Sequence, residues 1–459
     1  MFTITDIEAI HEAGLRVLES TGVLVQDDEA VALLAARGAR VLGRRVWFPE
    51  GEVRAALAAA PSAFVLKGRS PEHDLVFGEG PTVLGTVSGP AYVLAGDEVR
   101  AGRLSDVEDI ARVAHLSPQI GFQGDAVEPL DVPEDERTRR STYARLTLSH
   151  KCTEWIASTD ADLDDDIALN EILWGAGWHS VPRALIVLNT TSPLQLSGEN
   201  TRLLLRWARL GQPSCVTACT MGGTTGPATP AGTLVVQHAE VLAAVVLAQA
   251  AHEGSPVIYG GVSTLSDLRT GMATFGTAEF AGMAEATVGL ARLCGLPVRG
   301  GAAVTDAHVP DAQALLESAL CLGAGMRAGA DFILQGAGVL SSFNVASLEK
   351  LVMDDELAAM LRAELEPAGA GPEQLAEDVI DDVGPAGSYL GAGHTRRHAR
   401  DRLRPSFLMR DALEKWQAGG AEELRAAARR EVARRLDEHV PPDDLDAVVR
   451  RQLTEYCLR

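Results

Sequence analysis

The most metal-like spacing in the chain is H-x3-H, at His394 and His398. On a helix these two rings would share a face and hold zinc. The glycine-rich stretch around them, with arginines in between, makes a poor cage, so no metal site is expected. Cys215 and Cys219 would point to one face of a strand as soft ligands, but no Cys/His pair stands at a matching spacing, and packing is the better reading. There is no G-x-S-x-G elbow, H-E-x-x-H helix, P-loop or G-x-G-x-x-G turn. The four lysines are at 67, 151, 350 and 415. Only Lys350 comes near the end of a predicted strand, and it lies well past it, which argues against Schiff-base chemistry. Glycines gather in Met221-Gly222-Gly223-Thr224-Thr225-Gly226, Tyr259-Gly260-Gly261, Gly300-Gly301 and Gly336-Ala337-Gly338. Such runs admit a large flat ligand or another protein close to the backbone, or simply make tight turns; both readings stand. Arg299 would clamp a carboxylate or pair with a buried acid.

The elements that must position these residues follow a period. Residues 1–65 read as helical, and 66–105 as a small antiparallel β subdomain that turns at Gly96-Asp97. Apolar β-rich runs then begin near 120, 154, 184, 214, 256, 297, 332 and 382, each followed by an amphipathic helical segment. Eight strands alternating with helices predict a (β/α)8 TIM barrel over 106–405, with a helical tail over 406–459. Strand ends of a barrel face its active site, which selects Gln123, Asp125, Thr159, Asp160, Asn189, Thr190 and the loops 220–226, 263–269, 305–311, 335–344 and 388–398. A formal charge of −22 argues against nucleic acid. No run of 18 uninterrupted apolar residues reads as a membrane span. The scattered cysteines and the absence of a secretory pattern at Met1–Asp6 predict a cytoplasmic enzyme with reduced thiols.

An ordered set of segments resembles the trimethylamine methyltransferase family: Ile10-His11-Glu12-Ala13, Ser88-Gly89-Pro90-Ala91-Tyr92-Val93, Val257-Ile258-Tyr259-Gly260, Asp267-Leu268-Arg269-Thr270-Gly271, Gly295-Leu296-Pro297-Val298-Arg299-Gly300, Thr305-Asp306, Ser347 to Asp354, Val383-Gly384-Pro385, Tyr389-Leu390-Gly391 and His394 to His398. The resemblance implies a barrel that moves a methyl group from a methylated amine to the cobalt of a corrinoid carried by a partner protein. Archetypal members hold pyrrolysine just before the Thr-Asp pair. Val304 stands there in this chain, so a quaternary amine such as a betaine is the implied substrate class. Its nitrogen is already cationic and its leaving group neutral, so positioning the methyl in line is what remains. The chain departs from the family pattern at Gln335, where a histidine is common, and at Ala307-His308, where Ser-Lys is common.

On that reading Asp306 and Gln335 are the catalytic candidates. Tyr92, Tyr259, Phe332, Phe343 and Tyr389 would supply aromatic faces to a cation, with Arg299 and His394 as further substrate contacts. Asp306 would be the counter-charge, or else cap the next helix near Val309–Asp311. Gly222, Gly223, Gly260, Gly261, Gly300 and Gly301 would face the corrinoid. A homo-oligomer is the expected assembly. A diverged biosynthetic or lyase activity on the same barrel, or a non-catalytic binder of methylated amines or corrinoid proteins, are the competing readings.

Overall fold

The computed structural model describes residues 1–401 and 404–458. Eight parallel strands close into a barrel: β1 (Val83–Thr86), β2 (Ile120–Gln123), β3 (Cys152–Trp155), β4 (Leu185–Asn189), β5 (Ser214–Ala218), β6 (Val257–Gly261), β7 (Val298–Gly300) and β8 (Phe332–Ala337). A helix follows each: α1 (Leu104–His115), α2 (Glu134–Leu148), α3 (Asp160–Trp174), α4 (Gly198–Arg209), α5 (Pro230–Ala251), α6 (Ala278–Leu293), α7 (Ala312–Ala328) and α8 (Leu348–Leu365). Side-chain caps from Thr159, Ser197, Thr229, Thr277, Asp311 and Ser347 start six of them. Each such cap contributes about 1 kcal/mol.

The expected barrel was placed one strand too late. The run near 382 is a helix, Glu377–Val383, whose acids suit solvent rather than a strand covered on both faces. The missing strand is β1, assigned from sequence to the small β subdomain. It pairs with β8 at Val83↔Phe332 and with β2 at Leu84↔Ile120, closing the ring. Its neighbours keep the expected antiparallel character. Phe64–Leu66 pairs with Leu75–Phe77, and Tyr92–Ala95 with Glu98–Ala101. Residues 1–65 hold the expected helices, Ile4–Ser20, Asp28–Ala36 and Glu50–Ala59, with three short strands between them.

The first hairpin closes the barrel where the strands begin. Phe64, Leu66 and Phe77 share one apolar cluster with Phe122, Leu185, Ile258 and Phe332. Phe332 meets Phe77 and Phe122 edge-on, at 5.7 and 5.1 Å between ring centres. The longest apolar helix, α5, has the length and hydropathy of a membrane span, yet it is buried against neighbouring helices as a core element.

Four histidines meet at the same end of the molecule: His73, His115, His150 and His439, from four separate segments. Their rings contact in sequence, at 3.8 Å for 73–150, 4.4 Å for 115–150 and 5.3 Å for 115–439. Arg69, Lys151, Glu72 and Asp444 surround them. Burial, then the neighbouring positive charge, pushes His115 and His150 down to about 4, and burial lowers His73 as well. The unfolded chain, with histidines near 6.5, binds these protons more readily. Stability present above pH 6.5 is therefore lost as the pH falls toward 4. Thermal melts followed by circular dichroism should show this decline, and His115→Asn should flatten it; an unaltered pH profile in that variant counts against the cluster.

Candidate active site at the barrel mouth

Arg299 leaves the middle of β7 and turns its guanidinium up toward the mouth. It donates to Thr217 Oγ1 on β5 at 3.2 Å and to Gln335 Oε1 on β8 at 2.7 Å. Gly260 on β6 lies between the two strands in register. A Cβ there would stand 2.3 Å from Thr217 Oγ1, so glycine is what lets these side chains meet. Gln335 itself has φ +58° within β8, beside a break in register between Ile333 and Ala337. A non-glycine residue in this region costs on the order of 1–3 kcal/mol. The kink lets its amide reach across the mouth, where Nε2 donates to Ser88 O at 3.2 Å. Ser88 Oγ donates in turn to Glu154 Oε2 at 2.7 Å, and the Asp125 N–H donates to the same oxygen at 3.1 Å. One hydrogen-bonded chain thus spans β5, β7, β8, β3 and the loops after β1 and β2.

The two ends of this chain differ in charge. Arg299 is 3% exposed, makes no ion pair among the described residues, and its Nε has no partner. At the other end Asp125, Glu154 and Asp166 gather round the buried Arg145, which donates to Glu154 O at 2.7 Å and to Thr142 Oγ1 at 3.2 Å. Burial outweighs Arg145 and pushes Asp125 up to about 7, raises Glu154, and raises Asp166 well above the carboxylate range. Among the described residues neither carboxylate oxygen of Asp166 has a partner. Beside Asp125 opens a cavity of about 910 Å³ whose wall includes Glu128, Glu134, Asp135, Asp162 and Asp165. Two arginines on that wall are engaged, Arg137 with Glu128 and Arg139 with Asp165.

Asp306 stands elsewhere on the rim. Its carboxylate accepts from Phe275 N (3.1 Å), Gly276 N (3.3 Å) and Ser342 Oγ (2.6 Å), tying the loop after β6 to the loop after β8. It does not cap α7; Asp311 does, accepting from Ala314 N at 3.1 Å. Phe343, at φ +71°, is half-buried edge-on against Phe275 at 4.7 Å, so it closes the same seam. Behind the seam, Lys350 and Asp354 form a fully buried ion pair. Lys350 Nζ also donates to Ser318 Oγ and Ala303 O, and Asp354 accepts from Gly338 N at 2.9 Å.

Other expected residues lie away from the mouth. Tyr259 is wholly buried and points outward from β6, where its hydroxyl meets His238 Nδ1 at 2.9 Å and His238 Nε2 meets His11 Nδ1 at 2.9 Å. Phe332 is fully buried at the opposite end of the barrel. Tyr389 and His394 belong to the exposed segment after α8, and Tyr92 is half exposed on an outer sheet. The glycines are mostly a packing requirement. A Cβ at Gly222 would strike Leu265 and Thr233, at Gly261 Gln237, and at Gly301 Gly325. Gly300 faces Val288 on α6 in ordinary contact, and Gly223 sits in an exposed turn. Glu154, Ser88 and Thr217 were not singled out from sequence, whereas Asp125 was, by its position at a strand end.

The chain matches the trimethylamine methyltransferase (MTTB) family over residues 1–459. It belongs to that family. It is 34% identical over 448 residues to the glycine betaine methyltransferase of Desulfitobacterium hafniense strain Y51, covering 96% of this chain and 93% of that one. It is 30% identical over 472 residues to the trimethylamine methyltransferase MttB of Desulfitobacterium hafniense strain DSM 10664 / DCB-2, covering 99% and 93%. The crystal structure of the Methanosarcina barkeri monomethylamine methyltransferase (MtmB) shares the fold, with a TM-score of 0.54, 14% identity, and coverage of 94% of this chain and 87% of that one. Val304, at the position that the family resemblance assigns to pyrrolysine, is fully buried in an apolar cluster.

The seam gives a stability prediction. Lys350→Met strands a buried carboxylate and should cost about 3–5 kcal/mol in denaturant unfolding. Adding Asp354→Leu should restore much of that loss, because replacing both charges with apolar groups is often close to neutral. Equal destabilisation in the single and double variants would show that the pair is not the source.

Proposed function

We propose that this chain moves a methyl group from a quaternary or methylated amine of the betaine type to the cobalt of a corrinoid held by a separate protein. The observation that carries this reading is the polarity of the mouth: a buried guanidinium without an ion pair at one end and an acidic edge at the other. A betaine presents the complementary pattern, a carboxylate and a trimethylammonium a few bonds apart. Its carboxylate would complete the unpaired Arg299, whose burial is costly without an anion. Gln335, held by Arg299 and Ser88, would orient that end. The ammonium would face Asp125 and Glu154, drawn in by the acidic cavity beside them.

A reduced corrinoid supplies the cobalt nucleophile that accepts the methyl group. The chain's own task is positioning, since a quaternary nitrogen leaves as a neutral amine and needs no proton. Asp306 serves as a positioning residue by fixing the two loops of the rim. All six glycines first considered for the corrinoid have this chain's own atoms within 4 Å of where a Cβ would stand. The similarity to a glycine betaine methyltransferase and the valine at 304 support the same substrate class.

Two measurements test this. Arg299→Met should weaken glycine betaine binding in calorimetry at least 100-fold, or about 2.7 kcal/mol. Choline, which keeps the trimethylammonium but lacks the carboxylate, should change less than about threefold. Equal losses for both ligands would remove Arg299 from the carboxylate end. With a reactivated corrinoid protein, absorbance should report cobalt methylation for at least one member of a panel of betaines and methylamines; silence across the panel would defeat the methyl-transfer reading.

A further inference from the structure

From Arg362 to Ala426 no described residue is buried. This arm carries the helices Pro372–Leu375, Glu377–Val383, Gly393–His398 and Leu413–Ala418, none longer than 7 residues. Helices this short do not persist in water by themselves, and the stretch before Ser406, which bonds to Glu356, has no core of its own to hold it.

One cluster joins the first of these helices to the third. The helical turn expected only conditionally from H-x3-H is formed, and it brings the rings of His394 and His398 to 4.3 Å between centres. Glu373 faces them. Its Oε1 is 3.1 Å from His398 Nε2, and the ligand atoms of all three residues lie within 4.8 Å of one another. Tetrahedral zinc with bonds of ~2.0–2.1 Å holds its ligands about 3.3 Å apart, so the side chains must draw together, with His394 either giving up the bond from Nε2 to the Glu373 carbonyl at 3.0 Å or binding through Nδ1. The second nitrogen of His398, Nδ1, meets the Asp401 carboxylate at 2.5 Å. That contact fixes the tautomer that presents Nε2 to a metal, as carboxylates behind metal-bound histidines commonly do. Arg397 shares Glu373 Oε1 at 2.8 Å, while Oε2 has no partner among the described residues. Arg397 is itself 60% exposed and free to turn away. Two imidazoles and one carboxylate suit zinc better than calcium or magnesium, which prefer oxygen throughout.

We propose that Glu373, His394 and His398 form a zinc site, with water as the fourth ligand, that staples the arm after α8. The site stands apart from the methyl-transfer reading and does not depend on it. A second buried group, His11, His238 and Cys294, could also attract zinc, so the experiment separates the two. Full-length protein freed of metal with a chelator is titrated with zinc chloride and followed by hydrogen–deuterium exchange. Zinc should slow exchange of the amides over 372–398 at least tenfold and leave the barrel strands unchanged. His394→Gln combined with His398→Gln should abolish this protection, whereas Cys294→Ser should keep it. Metal-free melts of each variant, compared with the parent, establish that the barrel is intact. Unchanged exchange over 372–398 on adding zinc, or protection that survives in the double-histidine variant, would overturn the proposal.

Discussion

The rim of this barrel depends on two charges that never meet water. Lys350 and Asp354 lie one helical turn apart on α8 and are both wholly buried. Removing each from solvent costs several kcal/mol, which only close partners offset. Burial accordingly pushes the Lys350 ammonium down and Asp354 up to about 6, against the attraction between them. Their remaining bonds reach Ala303 beyond β7, Ser318 on α7 and Gly338 beyond β8. The loops that leave β7 and β8 are therefore fixed to one helix from below. Asp306, on the loop after β7, then joins it to the loop after β8 through Ser342 and to the loop after β6 through the backbone of Phe275 and Gly276.

A rim held this firmly can keep a strained residue at its edge. Gln335 takes a left-handed backbone conformation inside a strand, and Ser341, Ser342 and Phe343 follow with φ of 52°, 53° and 71°. Such conformations persist where the surroundings over-determine them. What the strain secures is a direction: the Gln335 amide faces Arg299 on one side and Ser88 on the other. A histidine at this position, as the family resemblance implies for other members, would carry a proton or a charge. Glutamine orients by hydrogen bonds alone and carries neither.

The barrel was legible because each βα unit repeats the same pattern, and the family resemblance pointed to the same architecture. Its first strand was not, since Val83–Thr86 is four residues long and lies among turn-forming glycines and prolines like its antiparallel neighbours. At the site, Gln335 and Asp125 came from the rule that strand ends face the mouth, and Arg299 from the ability of a guanidinium to clamp a carboxylate. Tyr259 was misplaced because one residue of phase decides which face of a strand a side chain occupies. Gly260 shares the register of Thr217 and Arg299, so Tyr259 must face the helices, but that register comes from pairing with distant strands. Glu154 gave no signal of its own. An acid within a short strand such as Cys-Thr-Glu-Trp looks like a solvent-facing residue until the barrel closes around it.

The acidic end of the mouth also explains why so many carboxylates can sit together. Three acids share the buried space around Arg145, and burial disfavours the charged form of each, pushing Asp125 up to about 7 and raising Glu154 and Asp166. A second cation beside them would offset that cost by favouring their charged forms. A permanent cation is the ligand best suited to do so, since its charge does not depend on taking up a proton. Arg299 poses the mirror problem, a buried positive charge completed only by an anion. The hydrogen-bonded chain through Gln335, Ser88 and Glu154 holds these two incomplete ends in fixed relation. A molecule carrying both signs at once would satisfy both ends together, whereas a simple ammonium would leave Arg299 as it is.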